Sequence, residues 1–383
     1  MNTAPLKIVA TAAMGIEAIV ADEVKKLGYT DVTVENGKVS IYGTERDVAR
    51  LNLWLRAADR IKIEVASFPA TSFEELFERT KAIPWADFLP VNAEFPVSGK
   101  SVKSGLYSVP DCQAIVKKAI VESLRKTYRI DWFKEDGPLF KIEVALLKDV
   151  ATLSIDTSGS GLHKRGYRYF HGKAPLKETM AAAMIYLTRW TPDRPFVDPF
   201  CGSGTLPIEA AMIGQNIAPG FNRDFVSENW PWIDKKVWDE VRTEAEDLAN
   251  YDQPLDISGF DIDHRMVDLS IANAKEIGLS ELITFKQMQV KDFRTTKEYG
   301  VLVGNPPYGE RLGTDEEVRR LYQDMGKTLL QYDTWSFYFL VSHPNFEKLF
   351  GRKASKKRKL YNGNIRTDYY QFFGPLPRKK GDI

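Results

Sequence analysis

The sequence predicts an α/β protein in which a mixed α/β module precedes a doubly wound, mostly parallel sheet. Its 383 residues exceed the usual length of one domain, and 43% hydrophobic with 27% charged residues is an ordinary globular composition. After about residue 176, short apolar strands alternate with amphipathic helices, which is the pattern of a parallel sheet. Hairpin signals before about residue 156 indicate a separate N-terminal module.

The N-terminal module is predicted from short strands and helices that follow each other closely. Asn36-Gly37 lies between two strand patterns and is a strong hairpin signal, and Lys148-Asp149 separates the strands of a closing hairpin. We predict strands at residues 7–10, 32–35, 38–42, 61–68, 94–98, 140–147 and 151–156, and helices at 16–26, around 48–55, at 72–81 and at 111–128.

Composition excludes several classes of protein. Apolar stretches are interrupted before about 18 residues, so no membrane span is expected. Glu17 breaks the first apolar stretch and Asp22 follows, which disfavours a signal peptide. Two cysteines and four histidines without clustered spacing predict neither a disulfide framework nor a metal site. A reducing, cytoplasmic location is the expectation.

The net charge of +1 conceals three basic patches, at residues 117–129, 162–177 and 352–359. Any one patch could be a solvated face, but three in one chain favour a polyanionic partner. The candidate contacts are Lys164, Arg165, Arg168, Lys356, Lys357, Arg358 and Lys359.

A glycine-rich turn, D-P-F-C-G-S-G-T from Asp198, follows the first strand of the C-terminal sheet. Gly202 and Gly204 are expected at the carboxyl end of a central strand, where such sheets bind ligands and where glycine lets the backbone approach closely. The dinucleotide fingerprint does not fit, and Asp198 suits a ligand with a positive amino group better than a pyrophosphate. Cys201 is interpreted as a small core residue rather than a nucleophile.

Acidic residues follow the next two predicted strands. Asp261 is the candidate for the hydroxyl groups of a ribose, whereas Asp263 is expected to cap a helix at 264–277. That helix is predicted to turn Met266, Leu269, Ile271 and Ala274 inward. About 60 residues separate Asp261 from the glycine turn, so we expect an insertion at 218–253, either a substrate-facing flap or a helical excursion packed by its own tryptophans.

The third strand, predicted at 283–289, leads into Asp292 and Phe293. In a nucleoside site, such an acid can accept from an adenine amino group while the aromatic ring packs on the base. A turn aspartate with no ligand is the alternative.

The sharpest motif is N-P-P-Y at residues 305–308, after a fourth strand. Its two prolines hold Asn305 and Pro306 outside helical space, and Pro306 and Pro307 have no N–H group. The Asn305 side-chain oxygen and the Pro306 carbonyl can grip both hydrogens of a planar amino group and turn its lone pair towards an electrophile. Tyr308 would stack on that group and stabilise a nearby sulfonium. A surface turn is the alternative.

In this order, D-P-F-C-G-S-G-T, G-F-D-I-D and N-P-P-Y resemble the motifs of class I S-adenosylmethionine-dependent methyltransferases acting on exocyclic nitrogen. Nearly the whole chain is similar to bacterial 23S rRNA guanine-N2 methyltransferases with a THUMP domain, a family of which L-H-K-R-G-Y-R followed by A-P-L-K-E-T is also typical. The resemblance implies a ferredoxin-like part at 1–66, a THUMP RNA-binding domain at 67–156, a linker at 157–175, and a Rossmann-like class I methyltransferase domain at 176–383.

The resemblance also implies roles for individual residues. The catalytic set would be Asn305, Pro306, Pro307 and Tyr308. S-adenosylmethionine would be held by Asp198, Gly202, Gly204, Thr205, Asp261, Asp292, Phe293, Leu176 and Glu178.

The expected function is methyl transfer to N2 of a guanosine, in 23S rRNA rather than tRNA, with RNA as partner and neither metal nor membrane. A tRNA guanine-N2, an adenine-N6 or a protein glutamine-N5 methyltransferase would use the same N-P-P-Y site, although the glutamine enzyme has no use for a THUMP-like module. A non-catalytic RNA-binding protein on this fold is a further alternative, which the intact acidic and N-P-P-Y residues disfavour. The oligomeric state is not predicted.

Overall fold

The computed structural model describes residues 5–168, 176–307, 314–362 and 365–377. The chain divides into two units, each with its own sheet. Unit 1 contains the described part of Met1–Ala12, Val20–Leu162 and Arg223–Glu244, and unit 2 contains Ala13–Ile19 and the described parts of His163–Asn222 and Ala245–Ile383.

The first sheet belongs to unit 1. Its strands are β1 (Leu6–Thr11), β2 (Thr33–Glu35), β3 (Lys38–Gly43), β4 (Arg60–Pro69), β5 (Val97–Val102), β6 (Lys141–Leu147) and β7 (Val150–Asp156), and the helices along this part of the chain are α1 (Glu17–Lys26), α2 (Glu45–Trp54), α3 (Phe73–Lys81) and α4 (Val109–Tyr128). The strand order is β2-β3-β1-β4-β7-β6-β5, with β5 and β6 parallel and the other neighbours antiparallel. Both predicted hairpins, at Asn36-Gly37 and Lys148-Asp149, are confirmed.

The strand predicted at 94–98 lies later in the chain. Glu94 makes only an isolated bridge to Leu139, and the regular ladder begins where Val97 pairs with Ile142. The residues of β5 alternate between half-buried and exposed, a weak hydrophobic signal that the sequence pattern did not reveal.

Most of the predicted insertion, at 223–244, belongs to unit 1. Trp230 stacks on Phe140 with 4.5 Å between ring centroids, and its Nε1–H donates to the Leu139 carbonyl. Trp232 donates to the Phe88 carbonyl. The insertion contains helix α7 (Lys235–Leu248), so one of the two expectations, a helical excursion, is correct. Trp238 stacks on Phe225 within the insertion, whereas Trp230 and Trp232 pack on the N-terminal module.

The second sheet belongs to unit 2 and has the predicted doubly wound form. Its strands are β8 (Phe196–Asp198), β9 (Ile257–Asp261), β10 (Ile283–Gln287), β11 (Val301–Gly304), β12 (Ser336–Val341), β13 (Lys356–Asn362) and β14 (Ile365–Phe372), and the helices along this part are α5 (Glu178–Tyr186), α6 (Thr205–Gly214), α8 (His264–Glu276), α9 (Asp315–Leu329) and α10 (Phe346–Phe350). The order is β10-β9-β8-β11-β12-β14-β13, parallel through β12 and antiparallel at β14 and β13. Because the order reverses between β8 and β11, ligands are expected at their carboxyl ends.

An aromatic core supports the strands that carry this edge. Tyr322 and Met325 of α9 and Phe346 of α10 are fully buried in a cluster with Trp335. Gly300, just before β11, has the Trp335 ring where a side chain would begin. The start of β11 is therefore held by close packing.

Candidate active site

A cavity of about 360 Å³ opens at the carboxyl ends of the central strands, a size typical of small-ligand sites. The predicted residues Asp261, Asn305 and Pro307 line it together. The other lining residues are Pro199, Phe200, Ile262, Met288, Gln289, Val290, Lys291, Leu321 and Asp324.

Asp261 lies where the tip of β9 meets the glycine turn. Its Oδ2 accepts the Gly202 N–H at 3.0 Å and its Oδ1 accepts the Asp263 N–H at 2.9 Å. Burial raises the pKa of the Asp261 carboxyl, and these backbone donors oppose that shift. Asp263 caps α8 by accepting from the Arg265 N–H, as predicted. Asp261 is thus held in place and lines the cavity with lone pairs still available to hydroxyl donors.

Side chains of α8 support the glycine turn. Gly202 and Gly204 both have positive φ, 51° and 84°, and a side chain at Gly204 would begin 3.0 Å from the Ser270 Cβ. Ser270 Oγ donates to the Gly202 carbonyl and Asn273 Nδ2 to the Ser203 carbonyl, both at 2.9 Å. Two buried polar side chains therefore satisfy the carbonyls that the turn leaves unpaired.

The predicted inward face of α8 is correct in part, because Ala274 is buried and Met266 and Leu269 are half-buried, but it is wrong for Ile271. Ile271 is 42% exposed, whereas Ser270 and Asn273 are buried beside Ala274. Neither polar residue was predicted, because only apolar side chains were expected on the inward face of the helix. Their spacing of three residues places both on one face of α8, and this was the available signal.

Asp198 is 1% exposed, and its Oδ1 accepts the Phe200 N–H at 2.9 Å. Burial raises the pKa of this carboxyl well above its usual range. Asp198 does not line the cavity, although the neighbouring Pro199 and Phe200 do. Cys201 is also buried, and burial raises the pKa of its thiol, as expected for a core residue rather than a nucleophile.

Asn305 follows β11 directly and carries the most informative atom of the site. Its side-chain Oδ1 is buried and accepts no hydrogen bond from the part of the protein that the structure describes. Pro306 is buried next to it. A side chain at Gly304 would begin 3.0 Å from the Phe200 ring, which lines the cavity and which the sequence analysis missed. Tyr308 lies outside the described residues.

The third strand ends earlier than predicted, and this changes which residues reach the cavity. Because β10 stops at Gln287, Gln289 lines the cavity and Asp292 is exposed beyond its lining. Phe293 is 3% exposed and packs among Phe260, Tyr332 and Trp335. The prediction that the Phe293 ring packs on a base is therefore wrong, since that ring belongs to the core.

Two of the predicted RNA contacts are buried ion-pair residues. The Arg165 side chain is 1% exposed and donates to both oxygens of Glu209, at 3.1 and 3.2 Å. Arg168 forms an ion pair of 3.3 Å with Glu178 and donates to Thr205 Oγ1. A guanidinium enclosed in this way cannot reach a phosphate, so both predictions are wrong, whereas Lys164 is exposed.

Leu176, Glu178 and Thr205, which the resemblance placed against the cofactor, are buried and do not line the cavity. Glu178 and Thr205 are the first residues of α5 and α6. Burial raises the pKa of the Glu178 carboxyl despite its pairing with Arg168.

The run at 352–359 leads into β13, an edge strand. Lys356 and Lys359 are exposed, while the Lys357 ammonium lies 3.9 Å from Asp368 and 5.3 Å from the centroid of the Tyr370 ring. In the basic patch at 117–129, Lys117 is paired with Glu135 at 2.7 Å. Charges on an edge strand also discourage pairing with another chain, so exposure alone does not identify an RNA surface.

Within the described ranges, no group of three or more His, Cys, Asp or Glu side chains is placed to hold a metal ion. None of the helices in that same part of the chain is long and apolar enough to cross a membrane.

Family models match three stretches of the chain. They describe an RMKL-like methyltransferase domain at residues 165–371, an RlmL ferredoxin-like domain at 7–62 and a THUMP domain at 70–156. The expected ferredoxin-like, THUMP and methyltransferase architecture is thereby confirmed.

Individual relatives agree with these matches. The "Putative RNA methyltransferase YpsC" of Bacillus subtilis (strain 168) is 61% identical over 376 residues, which cover 97% of each chain. The ribosomal RNA large subunit methyltransferase K/L of Syntrophotalea carbinolica is 33% identical over 96% of this chain, which spans 54% of that longer relative. The crystal structure of SMU.472, described as a putative methyltransferase complexed with SAH, superposes with a TM-score of 0.94 at 53% identity, covering 98% of this chain and 100% of that one.

Proposed function

The chain belongs to the RMKL-like methyltransferase family, and on that premise we propose that it transfers a methyl group from S-adenosylmethionine to N2 of a guanosine in RNA, with 23S rRNA as the substrate. The observation that carries this proposal is the buried Oδ1 of Asn305, which has no hydrogen-bond partner among the residues that the structure describes and belongs to the same cavity as Asp261.

A buried acceptor without a donor costs free energy unless a ligand supplies the donor. Asn305 Oδ1 follows a strand tip and precedes two prolines, so its position is set by the fold. An amino group of a nucleobase carries two hydrogens and a lone pair that is delocalised into the ring. Holding the hydrogens on Asn305 Oδ1 and the Pro306 carbonyl turns that lone pair out of the ring plane, which makes the nitrogen nucleophilic.

The cavity also fits the cofactor. Asp261 would accept from the ribose hydroxyls. Asp198 is buried one residue behind the cavity-lining Pro199, so its carboxyl would ionise when the methionine ammonium binds and attract it by charge rather than by direct contact. Gln289, rather than Asp292, lines the same cavity as Asp261, and its amide can accept from an adenine amino group and donate to the adjacent ring nitrogen. When bound, S-adenosylmethionine supplies an electrophilic methyl group on a sulfonium.

RNA as the substrate is supported by the match to a THUMP domain and by the names of the two relatives. The basic residues Lys164, Lys356, Arg358 and Lys359 are candidates for phosphate contacts. The choice of 23S rRNA is supported by the large-subunit relative, and the choice of guanine N2 by the resemblance of the motifs. The target base must leave any helical stack before its amine reaches Asn305.

The test is nucleoside mass mapping of 23S rRNA and tRNA from a deletion strain, with purified wild type and Asn305→Ala added back in vitro. We expect one N2-methylguanosine to be lost from 23S rRNA and restored only by the wild type. Loss of a methylated nucleotide from tRNA would instead make tRNA the substrate, and loss of N6-methyladenosine would make adenine the target base. Methylation of a glutamine in a release-factor peptide would make a protein the substrate.

A further inference from the structure

We propose that R-G-Y-R at residues 165–168 is a positioning latch for the cofactor site, in which Arg168 sets the affinity for S-adenosylmethionine through contacts with the residues that support the glycine turn. The inference rests on the proposed function, because it takes the turn after β8 to hold that cofactor. It assigns to this basic segment a role other than RNA binding.

Arg168 connects three separate segments of unit 2. Its Nη1 lies 3.5 Å from the Leu176 carbonyl, its Nε lies 3.3 Å from Glu178 Oε1 at the start of α5, and its Nη2 donates to Thr205 Oγ1 at the start of α6. The side chain is 8% exposed. One planar guanidinium with several fixed donors can join three such partners at once, and a lysine ammonium cannot reproduce this geometry.

Arg165 holds the same helix one turn further on. It binds both carboxylate oxygens of Glu209, and both side chains are fully buried. Helix α6 starts directly after Gly204, and the N–H of Gly202 in that turn donates to Asp261. A continuous set of contacts therefore leads from the two arginines through α6 and the glycine turn to the carboxylate at the cavity.

The two residues between the arginines fix the segment in place. Gly166 has a φ of +96°, and any side chain there would overlap the Asn222 carbonyl. Tyr167 is almost completely buried, including its hydroxyl. All four residues of the motif are therefore fixed by packing within unit 2. A loop that binds a phosphate backbone would instead expose its basic side chains.

A purely stabilising role is the competing explanation, because buried ion pairs are common structural elements. Such pairs add little net stability compared with apolar packing, and they are best attested where they fix one geometry. A structural role predicts that a substitution lowers the melting temperature alone. A positioning role predicts that cofactor affinity falls in protein that is still folded.

The decisive variant is Arg168→Lys, with S-adenosylhomocysteine binding measured by calorimetry well below the melting temperature. We expect the Kd to rise about 10-fold and KM for S-adenosylmethionine to rise with kcat little changed, while RNA affinity stays the same. Arg194→Lys is the matched control, because Arg194 is also buried and lies before β8, where it donates to the Tyr299 carbonyl before β11, at the amino ends of these strands. It should lower the melting temperature without changing the Kd.

A double-mutant cycle with Thr205→Val separates positioning from direct contact. If Thr205 acts with Arg168, the two substitutions together should weaken binding no more than either alone, whereas independent effects would add. If Arg168→Lys does not fold, Arg168→Met combined with Glu178→Gln removes both charges of the pair and should show the same loss of affinity.

An Arg168 variant that is folded and binds S-adenosylhomocysteine like the wild type overturns the latch, as do additive effects in the cycle or a selective loss of RNA affinity. Failure of the wild type itself to bind the compound would instead contradict the proposed function.

Discussion

The backbone N–H of Gly202 donates to the carboxylate of Asp261 across 3.0 Å, so the turn after β8 and the acid at the tip of β9 form one structural unit. Ser270 extends this unit by donating to the Gly202 carbonyl. A ligand that binds Asp261 therefore also contacts a turn whose geometry is fixed before binding. Such preorganisation reduces the entropy that ordering the site would otherwise cost on binding.

Replacing Asp261 with asparagine should weaken S-adenosylhomocysteine binding about 10-fold or more, because a charge-assisted acceptor for the ribose hydroxyls becomes neutral. Asparagine retains one oxygen for the Gly202 N–H but places its NH2 group against the Asp263 N–H, so the fold should persist with a lower melting temperature. Calorimetry measures the affinity, with a thermal melt as the check on folding. An unchanged Kd would contradict the ribose assignment.

The same carboxylate makes binding pH-dependent. Burial raises the pKa of Asp261 above the usual value for aspartate, so the carboxylate protonates at higher pH than an exposed aspartate does. Affinity should be highest at pH values above the raised pKa and fall as the pH drops through it, since the protonated group accepts poorly. Over the same pH range, the affinity of Asp261→Asn should change much less than that of the wild type. We assign the remaining change to titration of Asp198. A wild-type affinity that does not change on acidification would speak against this role.

Asp198→Asn should separate stability from binding. The raised pKa of Asp198 means that the ionised form is disfavoured in the folded protein, so the free energy of unfolding decreases as the pH rises through that pKa. Asparagine keeps an acceptor for the Phe200 N–H without the buried charge. The ligand-free variant should therefore melt at or above the wild-type temperature at neutral pH, yet bind S-adenosylhomocysteine more weakly. A variant that melts lower and binds normally would show that the carboxylate is structural.

Neutralising Lys356, Lys357, Arg358 and Lys359 to glutamine should flatten the dependence of RNA affinity on salt, because fewer counterions are released on binding. Cofactor affinity should not change. Filter binding over a series of salt concentrations measures the slope. An unchanged slope would make the run a solvated edge strand whose charges only prevent strand pairing.

Functional side chains could be predicted from the sequence where they lie directly at the end of a short apolar strand. Asp261 and Asn305 follow short apolar strands, and parallel strands bring their carboxyl ends to one edge. Gln289 was missed because the position of a strand end determines which residue reaches the cavity, and β10 ends two residues before the predicted limit. A sequence motif alone does not determine the residue at which the strand ends.

Burial of charge was the other quantity that sequence could not supply. Arg165 and Lys164 are neighbours of the same sign, yet only the fold shows that Arg165 is enclosed with Glu209 while Lys164 is exposed. Ser270 and Asn273 were missed for the converse reason, since polar side chains are buried where backbone carbonyls need donors. Both errors concern partners that are distant in sequence.

The most direct test of the account is the rate of a single turnover by Asn305→Ala with saturating S-adenosylmethionine and the RNA substrate. Alanine removes the acceptor that holds the target amine, so the rate should fall about 100-fold or more, while the Kd for S-adenosylhomocysteine stays near that of the wild type. Asn305→Asp, which keeps an oxygen at the same place, is the matched variant and should retain more activity than alanine. A normal single-turnover rate in Asn305→Ala would remove N-P-P-Y from the mechanism and contradict the account.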